Sequence, residues 1–261
     1  MNARLRIRGL EVAFGERVVV ALDELDVGAG EIVGLVGESG SGKSMTALAT
    51  LGLASAAGAR VAGSITIDGL EVVGLSEARL RDIRGTRIAM IFQNPIGSFN
   101  PVLRIGDVFV RALRLHGAGR SEARRRCAEA FGEVMLTPEL LDRYPHQLSG
   151  GQAQRAAIAL AVALRAEVLL ADEPTSALDV TVQAEVLDLL RRLRDLERLA
   201  TLFISHDLAV VAQLCDRVTV LRGGRVQEAG TIGAVLHHPQ HPYTRELIAA
   251  VPTLGAPPLY A

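Results

Sequence analysis

The sequence predicts an α/β fold: a buried parallel sheet flanked by helices, a small antiparallel sheet beside it, and a helical lobe inserted near the middle of the chain. Three observations carry this. Near-continuous apolar runs at 32–36, 88–92, 168–171 and 201–204 suit parallel strands covered on both faces. Helical stretches separate some of them, such as 182–194, where Leu187, Leu190 and Leu193 recur at helical spacing. Near the start, by contrast, Leu5 and Ile7 alternate with Arg4, Arg6 and Arg8, the pattern of a half-exposed strand.

In chain order, that alternating strand comes first, followed by the buried run at 32–36, a glycine-rich loop and a helical stretch over 44–53. A second alternating strand, with Ile65 and Ile67, lies between turns at Gly63 and Gly69. Residues 94–165 differ in character: they carry arginine-rich helical segments such as 121–135 and no buried strand, and are expected to form the inserted lobe. The run at 168–171 resumes the core, and 218–228 reads as a hairpin turning at Gly223-Gly224. Beyond Gly230 the prolines Pro239, Pro242, Pro252, Pro257 and Pro258 suggest a tail. The expected division is a core of 1–93 and 166–230, a lobe of 94–165 and a tail of 231–261.

The 261 residues are 49% hydrophobic but only 3% aromatic, so the core is expected to be mainly Leu, Val, Ile and Ala. A formal net charge of -1 gives no electrostatic reason to bind nucleic acid. Cys127 and Cys215 are far apart and in no metal-ligand spacing, as expected of reduced thiols in a cytosolic protein. Residues 1–9 lack the apolar core of a signal peptide, and the longest apolar run, 156–164, is too short to span a membrane.

Gly37-Glu38-Ser39-Gly40-Ser41-Gly42-Lys43-Ser44 fits G-x-x-x-x-G-K-[ST] at every fixed position, after a buried strand and at the start of a helix. Glycines let backbone N–H groups converge on phosphate oxygens, and the helix start adds a partial positive charge. In that arrangement Lys43 is expected to reach the β- and γ-phosphates of ATP, and Ser44 to ligate Mg²⁺. The run at 168–171 ends in Asp172 and Glu173. Asp172 is placed to hold Mg²⁺, and Glu173 to polarise the water that attacks the γ-phosphate. Further on, Leu148-Ser149-Gly150-Gly151-Gln152 precedes an alanine-rich helix, with Ser149 as its N-cap.

Together, these motifs resemble those of the ATP-binding cassette (ABC) ATPases, from about Leu5 to Pro252. The resemblance implies a P-loop NTPase with a RecA-like core, an antiparallel β subdomain and an inserted helical signature subdomain. It implies that Gln93 contacts Mg²⁺ or the attacking water, that Ser176-Ala177-Leu178-Asp179 is the D-loop, and that His206 contacts the γ-phosphate. Phe14 lies where an aromatic residue stacks on adenine, and Met45 continues the nucleotide-binding loop. Leu148, Ser149, Gly150, Gly151 and Gln152 correspond to the signature motif, which closes on ATP held by the P-loop of a second cassette. The chain carries one P-loop and one signature, so it supplies two different half-sites, and a second cassette, identical or paralogous, is implied as partner. Ala153 stands where many members have a polar residue, which is expected to lower the polarity of the surface there.

RIAMIFQNPIGSFNPV at 87–102, YPHQLSGGQAQR at 144–155 and HPYT at 241–244 are similar to the ATPase subunits of bacterial peptide and nickel importers. That implies two membrane permeases, an extracytoplasmic solute-binding protein and a peripheral place on the cytoplasmic face of the membrane. The lobe is then expected to dock a cytoplasmic helix of a permease, with the Phe99-Asn100-Pro101 turn either facing that helix or, through Phe99, filling the lobe's core. Longer members continue with a cysteine-bearing extension that can hold an iron–sulfur cluster; its absence here points to the shorter subunits, some of which serve nickel or metal-chelate uptake. His237, His238 and His241 lack carboxylate or cysteine neighbours and read as solvated tail rather than a metal site. The alternative is a soluble ABC-type ATPase of the repair or translation kind. The substrate, peptide or metal chelate, is not written in the cassette.

Overall fold

The antiparallel half of the sheet begins with β1 (Ala3–Phe14) and β2 (Arg17–Gly28), joined by a tight turn and paired along nearly their whole length. In the computed structural model, which describes residues 3–251, the first parallel strand, β3 (Ile32–Val36), leads into α1 (Lys43–Thr50). β4 (Arg60–Ile67) pairs with β1 and with the short β5 (Leu70–Glu71), and α2 (Glu77–Ile83) leads to β6 (Ile88–Ile91).

The stretch expected to form a lobe is helical throughout. It contains α3 (Pro95–Ser98), α4 (Ile105–Leu115), α5 (Arg120–Glu133), two short 3₁₀ turns and α6 (Gly150–Leu164). The core then resumes with β7 (Val168–Asp172), α7 (Val180–Glu197), β8 (Ala200–Ser205) and α8 (Leu208–Leu214). The hairpin of β9 (Arg217–Arg222) and β10 (Arg225–Thr231) follows, then α9 (Ile232–His237) and α10 (Pro242–Ala249).

All ten strands belong to one sheet, ordered β5-β4-β1-β2-β10-β9-β3-β8-β7-β6. β9, β3, β8, β7 and β6 are parallel; the antiparallel and parallel parts meet at a single ladder pair, Arg225 with Ala21. The continuous apolar runs are explained by two cores, one on each face. Val33 and Leu35 of β3 pack with α1, while Ile32 and Val36 point to the face covered by α7 and α8. β7 divides in the same way, with Val168 and Leu170 on one face and Leu169 and Ala171 on the other.

Three features depart from the sequence expectations, and a fourth decides between two open readings. β2 was not anticipated: its alternation slips phase at Asp23-Glu24, so Val20 and Leu22 are buried on one side of the slip and Leu25 and Val27 on the other. Residues 231–251 are not a loose tail. They form two short helices packed on the core, with Tyr243 only 1% exposed; Pro252, Pro257 and Pro258 lie outside the described residues. Phe99 is buried in the lobe core, the second of the two readings the sequence left open for it. Ala153 is also fully buried, because α6 runs through the centre of the lobe, so a small residue there fits the packing and leaves surface polarity unchanged. Among the described residues, no helix is long and apolar enough to cross a membrane.

Candidate active site

Four parallel strands end on the same side of the sheet, and each delivers one part of the site. After β3 comes the glycine-rich loop, after β6 Gln93, at the end of β7 Asp172 and Glu173, and after β8 His206. Ligands in open α/β sheets bind outside these carboxyl ends. Here a cleft of about 610 Å³ is lined by Phe14, Val19, Ser39, Gly40, Gly42, Lys43, Ser44, Met45, Gln93, Glu173 and His206.

The loop closes tightly around its own lysine. Lys43 Nζ donates to Gly37 O at 2.7 Å and to Glu38 O at 2.8 Å. Gly42, at φ 100°, precedes α1, and a Cβ there would lie 2.7 Å from Val19 O; only glycine lets the loop approach the β1–β2 hairpin so closely. Burial pushes the Lys43 ammonium below its ordinary value, and the carboxylates of Glu173, Asp172 and Glu38 pull it back up. A cation held in this balance gains when phosphate oxygens replace backbone carbonyls.

Ser44 Oγ donates to Asp172 Oδ1 at 3.0 Å. Burial raises the Asp172 carboxyl above the usual range, opposed by the Ser44 hydrogen bond; neighbouring Glu173 raises it further and Lys43 lowers it. A hydroxyl and a buried carboxylate side by side are oxygen donors of the kind a hard divalent cation takes. Among the described residues, no group of three His, Cys, Asp or Glu side chains could hold a metal ion. A cation at this pair would therefore need further oxygens from nucleotide or water, the normal habit of Mg²⁺ at phosphate sites.

Glu173 sits at φ 47°, an uncommon conformation for a non-glycine residue, with its N–H bonded to Ile204 O at 2.9 Å. Gln93 Nε2 donates to its Oε2 at 3.0 Å, and His206 Nδ1 lies 3.1 Å from its Oε1. The Glu173 side chain is 18% exposed and that of His206 58%, so the histidine covers the carboxylate from solvent. Asp207 supports this placement by capping α8, its Oδ1 accepting from Ala209 N at 2.8 Å.

The structure therefore gathers Phe14, the loop, Met45, Ser44, Asp172, Gln93, Glu173 and His206 in one region. Gly37, Glu38 and Ser41 form the back of the loop rather than the cleft wall. The signature residues lie on the lobe and do not line this cleft, but Gly150 shares an adjoining hollow with Gln93, Glu173 and His206. Ser149 Oγ accepts from Gln152 N at 3.2 Å, and Gln152 Oε1 accepts from Ser149 N at 3.0 Å, a reciprocal cap at the start of α6. Ser149 and Gly150 are exposed; Leu148 is buried in the lobe core. Asp179 caps α7 through Val182 N at 3.0 Å and does not line the cleft. Gly151 packs on α7, where a Cβ would meet Val182 Cγ1 at 2.4 Å. Val19 was missed in the sequence because the strand that carries it was not read. Tyr243 was also missed as a neighbour of the site, since nothing in HPYT alone shows what its hydroxyl meets.

A family model described as "ABC transporter" matches residues 22–176. A relative from Brucella abortus (strain 2308), named as a peptide import ATP-binding protein, is 48% identical over 227 residues, covering 86% of this chain and 68% of the relative. The glutathione import ATP-binding protein GsiA of Escherichia coli (strain K12) is 44% identical over 270 residues, covering 97% of this chain but only 42% of that longer protein. Among solved structures, the dimeric post-hydrolysis state of the ATP-binding cassette MJ0796 bound to ADP and Pi aligns with a TM-score of 0.75 at 27% identity, over 87% of this chain and 98% of that one. With the phosphate loop, the paired carboxylates and the capped signature helix in one chain, these likenesses place it in the ABC transporter family, as an ATP-hydrolysing cassette of the peptide-importer branch.

Proposed function

We propose that this cassette binds MgATP between its own phosphate loop and the signature helix of a second cassette, and uses the hydrolysis to drive uptake of short peptides through partner permeases. The observation that carries the reading is the convergence of Lys43, the Ser44–Asp172 pair and the Gln93–Glu173–His206 cluster at the carboxyl ends of neighbouring parallel strands. Phe14 offers a ring for adenine at the far end of the cleft. Lys43 neutralises charge on the β- and γ-phosphates, and Ser44 with Asp172 would hold Mg²⁺, which would supply further positive charge against the phosphates.

Glu173 is the general base. Both of its carboxylate oxygens face protein groups, Gln93 and His206. A γ-phosphate offers Gln93 and His206 a competing acceptor, and their departure frees Glu173 to polarise water. Hydrolysis coupled to nucleotide arrival follows from this competition. The signature residues Ser149 to Gln152 and the D-loop Asp179 serve the site of the partner cassette, which accounts for the exposure of Ser149, Gly150 and Asp179 outside this chain's cleft. The dimeric state of MJ0796 supports that arrangement.

The importer reading, with two permeases, a solute-binding protein and a peripheral cytoplasmic location, rests on the names of the relatives. Those names favour peptides, glutathione included, over metal chelates, and importers over soluble ABC ATPases. The test is direct: a complex rebuilt with permeases and solute-binding protein, in vesicles, is expected to release phosphate in proportion to peptide uptake. A cysteine at the exposed Ser98, beside the lobe, is expected to crosslink to a cytoplasmic loop of a permease with a yield that changes between ATP-trapped and nucleotide-free states. Phosphate release with no crosslink to any membrane subunit would favour the soluble ATPase instead.

A further inference from the structure

The C-terminal helix α10 reaches the phosphate loop through one side chain. Glu38 N donates to the Tyr243 hydroxyl at 3.2 Å, within the normal range for such a bond. The carbonyl of the same peptide unit, Gly37 O, accepts from Lys43 Nζ at 2.7 Å. The unit between Gly37 and Glu38 is thus gripped at both ends, by Lys43 from inside the loop and by Tyr243 from behind it. It needs gripping. Gly37 sits at φ 156° and contributes no side chain, because a Cβ there would lie 2.1 Å from Leu221 O. Glycine leaves the peptide plane free to turn unless something else fixes it.

Tyr243 is itself held firmly. The Arg222 guanidinium lies 4.6 Å from the centre of its ring, at the end of β9. His241 Nδ1 accepts from Tyr243 N at 3.2 Å and caps the helix, with Pro242 at its first turn. The turn before the cap is pinned to β10, since the Glu228 carboxylate accepts from Gln240 N at 2.8 Å and from His241 N at 3.0 Å. Three of the four residues of His241-Pro242-Tyr243-Thr244 therefore serve to present one hydroxyl to the back of the loop.

Resting on the nucleotide-site reading above, we propose that Tyr243 is a positioning residue for the phosphate loop: its hydroxyl fixes the plane of the Gly37–Glu38 peptide once ATP has drawn Lys43 away from Gly37 O. While Lys43 holds Gly37 O, the two grips are redundant. In the loaded site the lysine is committed to phosphate, and the tyrosine alone keeps the loop in register. The C-terminal segment is on this account a component of the nucleotide site, although it lies outside the cleft.

The test compares Tyr243→Phe, which keeps the ring and its stacking on Arg222, with Leu247→Ala, which loosens the packing of α10 without touching the hydroxyl. Each full-length chain is titrated with a non-hydrolysable ATP analogue and Mg²⁺ by calorimetry, and amide exchange is followed in the phosphate loop with and without the analogue. Tyr243→Phe is expected to weaken binding about two- to tenfold, the worth of one neutral hydrogen bond. It is also expected to speed exchange at Glu38 in the loaded state while hardly moving Tm. Leu247→Ala is expected to lower Tm and leave the affinity alone. Unchanged affinity or unchanged Glu38 exchange in Tyr243→Phe would overturn the proposal, as would equal weakening by Leu247→Ala, which would assign the effect to helix packing. Failure of the wild-type chain to bind the analogue would instead remove the nucleotide-site reading itself.

Discussion

Gln93 Nε2 donates to Glu173 Oε2 at 3.0 Å, so the residue read as the base is tied to the residue read as the phosphate sensor. Replacing Glu173 with Gln keeps the shape and removes the base. Turnover is expected to fall at least ~100-fold, the lower end of a general base's contribution. ATP binding should persist and a closed, ATP-loaded pair should accumulate. Phosphate release and size-exclusion chromatography with ATP measure the two effects; wild-type turnover would end the assignment.

Lys43→Ala is expected to act on binding instead. A charged hydrogen bond is worth about 1.5–3 kcal/mol, or roughly tenfold to 150-fold in affinity. Calorimetry with ATP should show that loss. An unchanged Kd would contradict the placement of the lysine against phosphate.

Asp172 gives a pH-dependent outcome. Its folded carboxyl is raised by burial, so the folded state binds that proton more tightly than the unfolded chain does. The stability contributed by the proton is therefore present at low pH and lost as pH rises through the folded value. Asp172→Asn has no charge to bury and can still accept from Ser44. Without nucleotide or Mg²⁺, its Tm should exceed that of the wild type at neutral pH, and the gap should narrow as pH falls. A gap independent of pH would mean that the carboxylate's burial carries no penalty.

Phe99 is buried in the lobe, so Phe99→Ala is expected to lower stability by about 3 kcal/mol, as cavity-forming substitutions of this kind do. Urea denaturation measures it. A loss below about 1 kcal/mol would mean that the ring is not a core element and would reopen a surface role.

What could be read in advance follows from what each pattern depends on. The phosphate loop was legible because its spacing is local: eight consecutive residues define it. The apolar runs of β3, β7 and β8 were legible because burial on both faces leaves no polar interruption. β2 was not, since the phase slip at Asp23-Glu24 breaks its alternation into fragments too short to stand out. The buried position of Ala153 was also beyond reach, because nothing local shows that α6 runs through the middle of the lobe, and for the same reason the sequence left Phe99 open between core and surface. Tyr243 illustrates the same limit at the site. Its partner, Glu38, is 205 residues away, and no periodicity links the two.

The two-sided burial of β7 has a consequence for how the site tolerates change. Leu169 and Ala171 are lodged among the side chains of the helical side, and Val168 and Leu170 among those of the antiparallel side. Asp172 and Glu173 stand at the end of this strand, so their coordinates are averaged over two separate populations of packed residues. A methylene gained in either population pushes the strand towards the other, one lost lets the strand settle into the space it left, and either displacement is delivered to the carboxylates. Drift in the amino acids far from ATP is thus felt as a change in catalytic aim, and a variant with an intact set of motifs can still be a slow one.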